Sequence, residues 1–195
     1  NTTGATNTAV GDNASRLNQT GVDNVAVGRM ALYSNTTDRN TAVGLEAGYT
    51  TTGADNTYVG YRSGKGASGA ETKNVGVGHS SLLSITSGAN NTAIGTASLD
   101  ALTTGNQNTA VGMAALGTAV GVSNCTAIGY AAMNSANTQD GSTAVGFAAA
   151  NYLTGGLGTT ATGFGAGRYV TTGDYNTAFG YNTLGGNSGG TAITG

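Results

Sequence analysis

Asn108-Thr109-Ala110-Val111-Gly112 is one copy of the pentapeptide whose reading decides the fold. The same five residues stand at Asn7–Gly11 and Asn40–Gly44. One change separates them from Asn24–Gly28 (NVAVG), Asn56–Gly60 (NTYVG), Asn91–Gly95 (NTAIG), Ser142–Gly146 (STAVG) and Asn176–Gly180 (NTAFG). Looser copies are Asn74–Gly78 (NVGVG), Cys125–Gly129 (CTAIG) and Thr159–Gly163 (TTATG). The closing glycines are Gly11, Gly28, Gly44, Gly60, Gly78, Gly95, Gly112, Gly129, Gly146, Gly163 and Gly180, so the steps are 17, 16, 16, 18 and then 17 throughout. A period of this length is the signature of a repeat architecture, in which a thin core becomes continuous by stacking.

Around each marker the pattern is equally regular. The residue three places after the marker glycine is small in every copy, from Ala14, Ala31 and Ala47 through Ser63, Ser81 and Ser98 to Ala166 and Thr183. A second turn signal follows: TTG at Thr51–Gly53, Thr103–Gly105 and Thr171–Gly173, or SG at Ser68–Gly69 and Ser87–Gly88. Asn-Thr-Ala-Val alternates with period two, which is strand logic. Frequent Gly and Thr oppose helix. One repeat therefore reads as a short strand, a glycine corner, a second short strand and a turn, which is one coil of a parallel β-solenoid. Eleven or twelve coils at the inter-strand spacing predict a rod of roughly 50–60 Å. A GTAVG run at Gly117–Gly121 falls between two markers without disturbing the period, and reads as a changed second turn.

Columns of the repeat become ladders along such a rod. The asparagines Asn7, Asn24, Asn40, Asn56, Asn74, Asn91, Asn108 and Asn176 predict an amide ladder, side chain to side chain. Alternation puts Thr and Val on one face and Asn, Ala and Gly on the other. The Val column (Val10, Val27, Val43, Val59, Val77, Ile94, Val111, Ile128, Val145, Thr162, Phe179) is the only consistently large apolar series, so it is expected to fill the coil, with the Ala column facing out. So narrow a coil encloses little volume, and oligomerisation is the expected remedy.

Composition agrees with a repeat and excludes several classes. Of 195 residues 35 are Gly, none is Pro or Trp, and 8% are charged. Val, Leu, Ile and Phe supply about one residue in six, too few for an ordinary globular core. Net charge is −2, and the seven Lys and Arg are scattered singly, which argues against a nucleic-acid footprint or an anionic-membrane surface. No apolar run approaches bilayer length, so no membrane insertion is expected. The opening NTTGATNTAV has no secretory-signal pattern. The whole chain, 1–195, reads as a single solenoid domain with marker repeats over 7–183, a degraded terminal copy over 184–195, and the character of a fragment of a longer fibre.

The marker N-T-A-V-G-x-x-A resembles the head repeat of YadA-type trimeric autotransporter adhesins, N-S-V-A-I-G-x-x-S, and very similar N-T-A-V-G repeats occur in phage tail-fibre proteins. The likeness covers residues 7–183. It implies a left-handed parallel β-roll, three chains side by side as a homotrimer, exposed on a virion or bacterial cell surface. It implies attachment to a host-surface glycan or protein receptor without catalysis. This repeat is a few residues longer than that of the adhesins, and no neck, coiled-coil stalk, membrane anchor or fibre chaperone domain accompanies it.

Few residues offer chemistry. His79 is the one histidine and Cys125 the one cysteine, so a Cys–His dyad has little support, and Cys125 reads as a small buried substitute for a ladder asparagine. Asp23, Asp38, Asp55, Asp140 and Asp174 lie five or six residues before a marker glycine. They offer weak calcium or sugar contacts, or simply a solvated corner, and no coil concentrates enough oxygens for a calcium site. No cofactor, metal or catalytic residue is expected. The column after the marker glycine ends in four consecutive aromatics, Tyr130, Phe147, Phe164 and Tyr181, which read either as a stiffening stack or as a strip for sugar faces. Tyr33, Tyr49, Tyr152 and Tyr169 lie in the following loop and suit glycan contact. A different class of reading is an ice-binding solenoid using the Thr column (Thr8, Thr41, Thr57, Thr92, Thr109, Thr126, Thr143, Thr160, Thr177). A glycan-cleaving spike is disfavoured, because no paired carboxylates are present.

Overall fold

The structure is a computed structural model that describes residues 3–136 and 140–185. Eleven three-residue strands sit on the markers: β1 (Thr8–Val10), β2 (Val25–Val27), β3 (Thr41–Val43), β4 (Thr57–Val59), β5 (Val75–Val77), β6 (Thr92–Ile94), β7 (Thr109–Val111), β8 (Thr126–Ile128), β9 (Thr143–Val145), β10 (Thr160–Thr162) and β11 (Thr177–Phe179). They form one parallel sheet in chain order, each strand paired only with its sequence neighbours. Register never slips: Thr109 pairs with Thr126, Ala110 with Ala127 and Val111 with Ile128, and equivalent positions pair along the stack. The molecule is a β-solenoid of about ten turns, spanning about 48 Å at the ordinary strand spacing. Of the terminal copy at 184–195, residues 186–195 lie outside the described residues. The Gly117–Gly121 run forms no strand, so the period passes over it as expected.

Among the described residues the second strand foreseen in each coil is absent. In its place runs a succession of turns whose backbone alternates in hand. The residues two and four places after each marker glycine adopt left-handed conformations, as at Met30 (φ 59°) and Leu32 (φ 47°), or Ala114 (φ 57°) and Leu116 (φ 50°). Alternation in hand turns successive N–H groups up and down the rod. Ala114 N–H donates back to Thr96 of the coil before (2.9 Å), and Leu116 N–H donates forward to Ala132 of the coil after (3.0 Å). Backbone groups are thus satisfied between coils without strand geometry. Each non-glycine residue in this conformation costs about 1–2 kcal/mol, which the stacking offsets.

The inside and outside of the strand wall are the reverse of the expectation. Ala26, Ala42, Ala93, Ala110, Ala127, Ala144 and Ala161 are fully buried, whereas Val43, Ile94 and Ile128 of the Val column are exposed. The reason lies on the opposite wall. Four places after the marker glycine stand Leu32, Leu82, Leu99, Leu116 and Met133, all fully buried. These long side chains fill the lumen and leave room for only a methyl group on the strand.

One coil makes the exchange visible. Tyr58 replaces the inward alanine of β4 and is fully buried. Glycines stand in the leucine column on either side of it. A Cβ on Gly64 would lie 2.3 Å from the Tyr58 ring, and one on Gly48 would lie 3.1 Å from it. Volume moved from one wall to the other, as close packing requires.

From Asn24 onward the asparagine column is buried, and it forms its ladder by a richer route than a pure amide stack. Asn91 N–H donates to Asn74 Oδ1 (2.9 Å) and Asn108 N–H to Asn91 Oδ1 (3.0 Å). The amide nitrogens reach carbonyls of the next coil's turn, as Asn91 Nδ2 to Gly105 O (2.9 Å). Direct amide-to-amide bonds join Asn40, Asn56, Asn74, Asn91 and Asn108 in sequence. Asn7 and Asn24 hold the early rungs through the backbone, and Asn176 bonds Gly173 O within its own turn.

Candidate functional site

The strand wall presents one outward face. Its Thr and Val columns are followed, beyond each marker glycine, by the variable column that begins with Asp12 and Arg29 and continues through Leu45, Tyr61, His79, Thr96 and Met113 to the four aromatics. Ile94 is 41% exposed and Ile128 40%, although both are large and apolar. Tyr130, Phe147 and Phe164 are 47, 42 and 44% exposed. These exposed apolar side chains lie side by side along the rod, one per rung.

The four aromatics are brought together as a stack. Tyr130–Phe147, Phe147–Phe164 and Phe164–Tyr181 have centroids 5.1, 4.8 and 5.2 Å apart, with interplanar angles of 9, 7 and 14°. Each ring covers its neighbour's face, so the stack stiffens the rod and presents ring edges outward. His79 joins the same column lower down, tilted on Tyr61 at 4.9 Å.

The loop tyrosines form two further pairs. Tyr33 stacks on Tyr49 at 5.0 Å and Tyr152 on Tyr169 at 5.2 Å. Each has a cation alongside. Lys65 lies over Tyr49, but its ammonium is bound to Glu46 at 2.8 Å. Arg62 also bonds Glu46 (2.9 Å), and the two cations, Lys65 foremost, hold that carboxyl below the ordinary range. Arg168 lies over both Tyr152 and Tyr169, at 5.9 and 5.4 Å from the ring centroids. Sequence reading missed this arginine. The available signal was its place beside Tyr169, one period after Tyr152.

The acids have a structural task that composition did not reveal. Asp38 Oδ1 accepts the Val22 N–H (2.9 Å), Asp140 that of Ser123 (2.7 Å), and Asp174 that of Leu157 (2.8 Å). Each thus satisfies a backbone donor of the coil before. Asp23 accepts from the Thr6 hydroxyl, and Asp55 pairs with Arg39. Among the described residues no group of three or more His, Cys, Asp or Glu is placed to hold a metal ion. Cys125 is buried in the asparagine column, as expected, and burial pushes its thiol up to about 11.

Glu71 stands apart. It is fully buried, and one carboxyl oxygen accepts the N–H groups of Thr52 and Gly53, both at 3.2 Å. Its other oxygen and the Thr51 hydroxyl make no hydrogen bond among the described residues. Burial raises the Glu71 carboxyl above the ordinary range.

No helix among the described residues is long and apolar enough to cross a membrane. Compared with protein-family models, with curated proteins and with solved structures, the chain matches none of them.

Proposed function

We propose that this chain is a non-enzymatic attachment module of a surface fibre, of the kind its YadA-like marker resembles, in a phage tail fibre or a bacterial adhesin. Three copies stand side by side with left-handed coils, strand wall to strand wall. The loops of the opposite wall meet a host-surface glycan or protein receptor. One observation carries the reading: the apolar Val and aromatic columns face outward along the strand wall. A lumen this narrow buries little area per chain, and joining the exposed faces adds the missing core.

The test is the mass of the native particle. Light scattering should give three times the 18.9 kDa chain, about 57 kDa. Ile94→Lys with Ile128→Lys places charges on the joined faces and should yield a smaller particle with the same circular dichroism spectrum. A wild-type monomer at tens of micromolar would overturn the proposal.

The outward Thr column, regular from Thr92 to Thr177 in each rung, favours a second reading as an ice-binding face. Thermal hysteresis from a monomeric rod would establish that reading in place of the first.

A further inference from the structure

We propose that Tyr152, Tyr169 and Arg168, with Thr154 and Thr171, form a subsite for an acidic saccharide, specifically a hexuronate residue of a glycan. The proposal deepens the attachment reading and rests on it for the source of the ligand. The site itself is argued from local geometry. Tyr152, Thr154, Tyr169 and Thr171 line an open cleft of about 420 Å³, within the size range of small-molecule sites. The rings lie within 7° of parallel, stacked along the rod. One period before Tyr152 stands Ser135, a small residue, and Tyr152 is 41% exposed. A small residue beside a large ring makes a ledge on which the apolar face of a pyranose can lie. The tyrosine hydroxyls suit the hydroxyls of such a ring.

Charge decides the class of sugar. Of the three cations seated on aromatic rings, Arg62 and Lys65 are both neutralised by Glu46. Arg168 has no ion pair among the described residues, and its Nε is buried without a hydrogen-bond partner. The nearest corner carboxylates in sequence are committed elsewhere: Asp140 to the Ser123 N–H and Asp174 to the Leu157 N–H. A guanidinium seated against the two tyrosine rings, with no carboxylate partner among the described residues, is the complement of a sugar carboxylate, which can take two parallel N–H bonds.

The experiment uses the full chain and four probes: tetragalacturonate, its fully methyl-esterified form, a hyaluronan tetrasaccharide and neutral maltotetraose. Calorimetry and ligand-observed saturation-transfer NMR read binding. At least one of the two acidic oligosaccharides should bind, about tenfold or more tightly than the esterified and neutral probes, because the ion pair is lost with the charge. Arg168→Gln should abolish that preference while leaving the melting temperature unchanged. Tyr152→Ser should weaken acidic and neutral probes alike. Equal binding of acid and ester, acidic binding undiminished in either variant, or no binding of either acidic probe at 1 mM would overturn the proposal. A trimer that binds neither acid removes the subsite alone. A monomer that binds one removes the trimeric attachment reading and leaves the subsite standing.

Discussion

Gly112→Ala should cut the rod between the β7 and β8 coils. Gly112 has φ of +131°, a region that side-chain-bearing residues scarcely enter. A Cβ there would lie 2.5 Å from the carbonyl oxygen and 2.6 Å from the carbonyl carbon of Gly129, the marker glycine of the next coil. Ordinary contact begins at 3.4 Å, so the methyl stands about 0.9 Å too close. The obstacle is backbone, and it is held: Gly129 N–H donates to Val111 O at 2.7 Å. Backbone strain costs about 1–3 kcal/mol and overpacking about 1–3 kcal/mol more, for a sum near 4 kcal/mol. At roughly 2–4 °C per kcal/mol the melting temperature should fall by about 8–16 °C. The assay is thermal unfolding followed by circular dichroism at fixed protein concentration. Gly121→Ala is the control, because among the described residues its Cβ would meet only Thr104 Oγ1 at 3.6 Å, and it should stay within about 1 kcal/mol of wild type. If Gly112→Ala melts within about 2 °C of the parent, the glycine column is not the contact that sets coil spacing.

Glu71→Gln tests the buried carboxyl. Its folded pKa is raised, so the folded chain holds the proton more tightly than the unfolded chain does. The stabilisation is therefore full below the ordinary glutamate range and is lost as pH rises through the raised value. Wild type should lose stability relative to Glu71→Gln between acid and neutral pH, and a constant difference in denaturant midpoint would refute this. Tyr58→Ala should cost about 3–5 kcal/mol, and adding Gly64→Leu should restore part of it, since Leu82 and Leu99 occupy the same backbone conformation. A double variant no more stable than Tyr58→Ala would refute the exchange of volume between walls. The Cys125 thiol should resist iodoacetamide at pH 8 in the native rod and react readily once unfolded in urea, as its burial and raised pKa require.

Much of this architecture was legible in the marker itself. The glycine steps set the coil length, and period-two alternation located each strand. The aromatic stack was readable because Tyr130, Phe147, Phe164 and Tyr181 fall one period apart. What misled was volume. Alternation says which side chains share a face, not which face is inside, and the valines are the one consistently large apolar series in the marker. The leucine column that fills the lumen is interrupted at Gly48, Gly64, Ala150 and Gly167, so it does not announce itself as a ladder. The second wall was hidden for a different reason. Its left-handed positions carry Met30, Leu32, Glu46 and Ala114, residues with no local preference for that conformation. Stacking imposes it, and stacking is a tertiary effect. Arg168 does not stand out in the sequence, because the seven Lys and Arg are scattered without a pattern. Its meaning comes from the rings folded beside it.

The tyrosine inside the β4 coil has a consequence for how so repetitive a chain finds itself. Near-identical rungs invite threading that is wrong by one whole repeat, with every strand paired and every asparagine bonded. Such a shift would carry the phenol ring to a level where leucine projects from the facing side, with no hollow to receive it. Tyr58 and its two glycines therefore act as a key cut for a single lock, marking one rung of the rod as different from all the others.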